Sequence, residues 1–353
     1  MRSLMKLSEW PALRGAGLAL MAAALFGVST PLVQRAGYSV GAFSTAAFLY
    51  AGAAIVGALM RKPVQREAAV RRHDLRRVVW MAVFGAAIGP VALAWGLQRT
   101  SATSASLLLT LEALFTVLLA RILYGEQMDR RVWLAMLLLF AGGVVLVFDQ
   151  GSVGGAQLVG LLAVLGATAA WGVDNTLSRA LAERDPGQVV FAKAALGALF
   201  TAALALTLRE PVPTLGRAVA LVAIGASGYG LSLRLYLLAQ RAFGAARTGS
   251  VFAFAPFIGA LLAIAMGDRS LSVGLASGGA LMLAGVALHI AESHAHDHVH
   301  DVTEHEHSHT HDDGHHSHSH EPMPAGAHSH VHRHESVRHR HAHVPDVHHL
   351  HRH

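Results

Sequence analysis

The sequence predicts an all-α polytopic membrane protein: ten transmembrane helices arranged as two inverted five-helix repeats, followed by a disordered histidine-rich C-terminal tail. Three observations predict it. Apolar residues make up 53% of the 353-residue chain and charged residues only 14%, where a soluble domain carries about a quarter charged. The apolar residues gather in runs of about 20, the length that crosses a hydrocarbon core about 30 Å thick. Matched motifs then recur along the chain at separations of about 140 to 145 residues.

The runs lie near 15–34, 40–60, 77–98, 102–123, 132–149, 157–180, 188–208, 218–239, 246–266 and 271–291. Lipid admits only helices or closed barrels, and these runs lack the alternation of barrel strands, so each reads as a helix. The first follows a basic start (Arg2, Lys6, Arg14) but is too long for a signal h-region, and reads as a retained helix. The chain divides into a first repeat at 1–149, a linker at 150–155, a second repeat at 156–292 and the tail at 293–353.

Basic residues set the orientation. The connector after the second run carries Arg61, Lys62, Arg66, Arg71, Arg72, Arg76 and Arg77; those after the fourth and sixth carry Arg130, Arg131, Arg179 and Arg184. The alternate connectors are poorer. Both termini, and the tail, are expected on the cytoplasmic side of a bacterial-type inner membrane. The same placement explains a pI near 10 as topology and excludes nucleic acid as the partner. No cysteine is present, so disulfides, thiolate metal sites and a cysteine nucleophile are excluded. No nucleophile–base pair or phosphate loop is visible either, and no enzymatic activity is expected.

The internal repeat rests on several pairs. Phe26-Gly27-Val28 in helix 1 matches Trp171-Gly172-Val173 in helix 6. Glu112-Ala113 in helix 4 matches Ala255-Pro256 in helix 9, each preceded by small residues. The turns Gly125-Glu126 and Gly267-Asp268 match, as do AGGVVL and LAGVAL in helices 5 and 10. Five helices per copy is an odd number, so the copies run in opposite orientations, as in many secondary transporters.

In these features the chain resembles the drug/metabolite transporter superfamily, its halves looking like two EamA modules over roughly residues 15–291. It departs at Ala113, where the family usually has proline, and at Lys193, which stands for the arginine common in helices 2 and 7. The resemblance implies a ten-helix carrier with both termini inside and leaves the solute open.

Ionisable groups inside a bilayer cost on the order of 3 kcal/mol at the centre and ask for a reason. Glu112 lies mid-depth in helix 4. Asp174, Lys193 and Arg234 should share one layer in the cytoplasmic third, either lining the transport pathway or forming an architectural ion network. Glu112 is the candidate coupling carboxylate, able to exchange a proton for a cation, with Asp174 and Asn175 adding oxygen ligands. Ser29 and Thr30, beside Pro31, complete the candidate pathway.

From His294 the composition changes abruptly. Histidine recurs at almost every second residue: His294, His296, His298, His300, His305, His307, His309, His311, His315, His316, His318, His320, His328, His330, His332 and His334 are the candidate metal ligands. Imidazole suits Ni²⁺, Co²⁺ and Zn²⁺, and H-x-H in an extended chain sets two rings on one side. No core can form from this composition, so the tail is expected to be disordered when free. Interruption by Ser, Asp, Glu, Val and Arg distinguishes the run from a purification tag.

These readings converge on a secondary exporter of divalent metal cations, captured by the tail and moved in exchange for protons. The tail's character is similar to that of the nickel- and cobalt-resistance exporters of the superfamily. The alternative is an exporter of an amino acid or other small organic metabolite, with the tail as a metal store; Lys193 and Arg234 favour it. No cofactor is required in either case. The lipid bilayer and divalent metals are the expected partners, and the sequence leaves the oligomeric state open.

Overall fold

The computed structural model describes residues 11–63, 67–124, 128, 130–151, 154–181, 184–243 and 245–290, and in the tail 294–299, 303–309, 328–334 and 338–343. The helices are α1 (Pro11–Ala36), α2 (Ala42–Leu59), α3 (Arg72–Leu97), α4 (Ala102–Leu123), α5 (Arg130–Gly151), α6 (Gly155–Leu181), α7 (Pro186–Thr207), α8 (Leu215–Ala242), α9 (Thr248–Ala265) and α10 (Val273–Ile290). Among the described residues, the first nine contain segments long and apolar enough to cross a membrane, and α10 contains the shorter apolar segment Val273–Leu288. Leu59, Ile122, Phe148, Leu199 and Leu206 are exposed around the bundle; a belt of this kind suits lipid rather than water. This is a multi-pass membrane protein.

The twofold relation between the halves is visible in the packing. Helix α2 lies along its counterpart α7, and α5 along α10. Helix α1 packs on α8 and α9, as α6 packs on α3 and α4. Small residues permit the approaches: a Cβ at Gly142 of α5 would stand 2.7 Å from the Gly278 carbonyl oxygen of α10, and one at Gly278 would stand 2.9 Å from that of Gly142.

The helices are interrupted at matched places. A π-helical stretch, Ala82–Ile88, lies within α3 and another, Gly225–Leu231, within α8. Helix α4 breaks between Leu108 and Leu111, and α9 between Phe252 and Ala255. At the breaks the bonding tightens to i→i−3: Thr110 N–H donates to Leu107 and Ala113 to Thr110, matched by Phe254 to Val251 and Phe257 to Phe254. This pattern pairs Thr110 with Phe254 and sets Glu112 opposite Pro256, one residue on from the sequence match of Glu112 with Ala255. Helices α1 and α6 cross at these breaks through the glycines of the aromatic-Gly pairs. A Cβ at Gly27 would stand 2.2 Å from the Ala255 oxygen, and one at Gly172 2.6 Å from Phe115 Cβ.

Four segments of the tail are described, and they pair. Antiparallel ladders join β1 (His294–Val299) to β4 (Arg338–His343) and β2 (Thr303–His309) to β3 (His328–His334). The alternation read as a way of presenting imidazoles is also the period of a strand. The register sets histidine opposite histidine: His294 and His343, His296 and His341, His298 and His339 in one ribbon, and His305 and His332, His307 and His330, His309 and His328 in the other. His300, His311, His315, His316, His318 and His320 lie outside the described residues, as does the Gly125-Glu126 turn.

Candidate transport site

The break in α4 makes Glu112 a first-turn residue of the half-helix Leu111–Tyr124, the end at which backbone N–H groups favour a negative side chain. Its partner comes from the other repeat: Asn175 Nδ2 of α6 donates to Glu112 Oε1 at 2.5 Å. One residue earlier, Asp174 forms a buried ion pair with Lys193 of α7 through its Oδ2. Asp174 Oδ1 is buried without a hydrogen-bond partner. The carboxylate sits against Gly85, where a Cβ would come within 2.2 Å of Oδ2. Only glycine leaves that seat open.

Gly85 also organises two aromatic side chains. Its carbonyl, within the π-helical stretch of α3, accepts from Tyr50 Oη and from Trp171 Nε1, the latter at 3.0 Å. π-Helical stretches often mark functional sites in membrane and soluble helices alike. Phe26 meets Trp171, Tyr229 and Phe252 at ring separations of 5.7, 5.8 and 5.4 Å, and Tyr236 meets Phe252 at 5.0 Å.

These groups line a partly open cavity of about 50 Å³: Phe26, Tyr50, Glu112, Trp171, Asp174, Asn175, Lys193, Tyr229, Ser232, Tyr236 and Phe252, with Gly228 and Leu233. The lining draws on both repeats and lies beside the helix breaks, where secondary carriers place their solute.

Four of the seven expected pathway residues therefore meet at one place: Glu112, Asp174, Asn175 and Lys193. Arg234 does not line the cavity, and its Nε is buried without a hydrogen-bond partner. Ser29 and Thr30 are buried but do not line it either. The Ser29 hydroxyl donates to the Phe26 carbonyl at 2.6 Å, and Gly228 packs on its Cβ. The aromatic lining was missed as a site. Its sequence signals were rings flanked by glycine, as at Phe26-Gly27, Trp171-Gly172 and Gly228-Tyr229-Gly230.

Cross-repeat polar contacts tie the bundle at both ends. At the basic-loop end, Arg241 pairs with Glu67 at 2.7 Å and Arg184 with Asp74 at 3.0 Å. At the opposite end, Gly267 takes φ 99° and Asp268 follows it. Asp268 Oδ2 accepts from the Thr103 N–H and hydroxyl at 2.9 and 2.8 Å. Nearby, Glu210 accepts from the N–H groups of Phe43 and Ser44 at 3.2 and 2.7 Å.

A bundle of paired broken helices around a charge-bearing cavity is the architecture of a membrane transporter. The EamA-like transporter family model matches twice, over residues 13–148 and 158–291, and the chain belongs to that family. It is similar to an uncharacterized transporter of Methanothermobacter thermautotrophicus, 27% identical over 238 residues, which cover 66% of this chain and 69% of that one. A protein crystal structure matches with a TM-score of 0.57 at 23% identity, covering 77% of this chain and 94% of the other. That likeness shows the shared fold.

Proposed function

We propose that this chain is a proton-coupled secondary exporter of small positively charged solutes, working in an inner membrane with both termini in the cytoplasm. The observation that carries the reading is the partnering of the two carboxylates. Lys193 is engaged by Asp174, while Glu112 has the neutral amide of Asn175. The cavity thus holds one carboxylate in excess of its ammonium, and a carboxylate that alternately holds a proton and a cation couples their movements.

Reconstitution tests this. Proteoliposomes of the full chain, loaded with a pH-sensitive dye, are challenged with gradients of NiCl₂, CoCl₂, ZnCl₂ and organic ammonium salts. Proton counter-movement with at least one cation, absent in Glu112→Gln, is expected. If no cation moves protons faster than in empty liposomes, or if the variant equals the parent, the reading fails.

The tail favours a second reading of the cargo, as Ni²⁺, Co²⁺ or Zn²⁺ handed from cytoplasmic histidines to the carrier. Its support is the histidine-on-histidine register of both ribbons. Nickel and cobalt content of a metal-sensitive host would decide it, comparing the full chain with one ending at Ser293. Unchanged metal content and tolerance with both would rule it out.

A further inference from the structure

We propose that the cavity selects organic ammonium ions carrying an apolar or aromatic body, over bare divalent metals and over carboxylate solutes. The inference rests on the carrier reading above and specifies its cargo. Several polar groups around the cavity have partners that limit what they can offer, while the Tyr229 hydroxyl and Asp174 Oδ1 are buried without one. Lys193, the one cation in the lining, is paired with Asp174, so an anionic solute would have to displace a carboxylate already in place. The Trp171 N–H and Tyr50 hydroxyl are engaged by the Gly85 carbonyl, and the Ser232 hydroxyl donates to the Ala22 carbonyl at 2.8 Å. What Trp171 and Tyr50 present to a solute is therefore ring surface, joined by Phe26, Tyr229, Tyr236 and Phe252.

Ring faces attract cations that shed water easily, and Trp and Tyr do so best. An ammonium group between these rings and Glu112 would meet a counter-charge on one side and π-electron density on the other. A small divalent metal asks for more. Borderline metals prefer imidazole or thiolate, and the lining contains neither. Among the described residues no cluster of three histidine, cysteine or acidic side chains is placed to hold a metal ion. Metal capture by the tail and organic-cation transport by the bundle are then separate properties of one chain.

The test is binding of radiolabelled phenethylamine to the purified full chain in detergent, with 3-phenylpropionate and NiCl₂ as competitors. Saturable binding is expected, displaced by neither competitor at equal concentration. Glu112→Gln should weaken it at least about tenfold, and Phe252→Leu, which keeps an apolar side chain, about fivefold. Thermal melts of both variants confirm that they are folded. Equal affinity for 3-phenylpropionate, displacement by NiCl₂ in a chain ending at Ser293, or indifference to both substitutions in folded protein would overturn the proposal. Proton movement driven by NiCl₂ without phenethylamine binding would overturn it while leaving the carrier reading intact. Phenethylamine binding without cation-driven proton movement would support it and remove the carrier reading instead.

Discussion

Asn175 Nδ2 lies 2.5 Å from Glu112 Oε1, so the carboxylate of one repeat is held by the amide of the other. This contact spans the junction where α6 crosses the break in α4, and any rocking of one repeat against the other must act on it. Asn175→Asp keeps the size but places a second acceptor there and removes the donor. Its expected outcome is loss of cation-driven proton movement with normal membrane insertion, read in the proteoliposome assay. Transport at the parental rate would show that the amide only fills space.

The Asp174–Lys193 pair makes a different prediction, because both partners are buried. Removing one member of a buried pair leaves an uncompensated charge, at a cost of about 3–5 kcal/mol, whereas removing both together is far milder. Lys193→Met should therefore lower the melting temperature of the detergent-solubilised protein sharply. Adding Asp174→Asn to it should restore most of the loss. A double variant as unstable as the single one would mean that Lys193 is needed for packing, not for pairing.

The helices and the repeat were legible in the sequence because lipid imposes length and apolarity on every span. Depth was legible too, since each residue adds a fixed rise, and this set Asp174 level with Lys193. Rotation about the helix axis was not. Arg234 follows the π-helical stretch Gly225–Leu231, whose wider turn shifts the face of every later residue, and it does not line the cavity. The break at Leu109-Thr110 was equally hidden, having no glycine or proline. Only its repeat partner beside Pro256 hinted at it.

Gly85 offers a test of how tightly the site is built. A Cβ there would stand 2.2 Å from Asp174 Oδ2 and 2.7 Å from Oδ1. Gly85→Ala should push the carboxylate from its seat, costing about 1–3 kcal/mol as overpacking does, and should impair transport. Gly17→Ala, where no atom lies within 4 Å, is the matched control, expected to melt and transport like the parent. Equal behaviour of the two variants would show that the α3 backbone yields.

Asp268 gives a pH prediction at the end of the bundle opposite the basic loops. Its partial burial raises the carboxyl pKa, but bonds from the Thr103 N–H and hydroxyl and from Ser270 outweigh this and hold it below the ordinary value. A group with a depressed folded pKa stabilises fully above its unfolded pKa, about 3.9 for aspartate, and loses that contribution as pH falls through the folded value. Asp268→Asn should thus melt below the parent at neutral pH, and the gap should close as the pH falls below about 4. A gap that persists in acid would assign the loss to geometry and not to charge.

The tail's ribbons can be tested directly because the chain has no cysteine. Asp297 stands opposite Arg340 in the β1–β4 ladder, so Asp297→Cys and Arg340→Cys introduce the only two sites for spin labels. A two-stranded ribbon with no packed core is marginal in water, and a metal held by histidines of both strands would favour pairing by mass action. Zn²⁺ should therefore narrow the label-to-label distance distribution, and a chelator should broaden it again. Imidazole must be neutral to ligate, so the Zn²⁺ effect should weaken as pH falls through about 6.5. A distribution indifferent to Zn²⁺, or one that narrows without it at every pH, would separate the ribbons from metal binding.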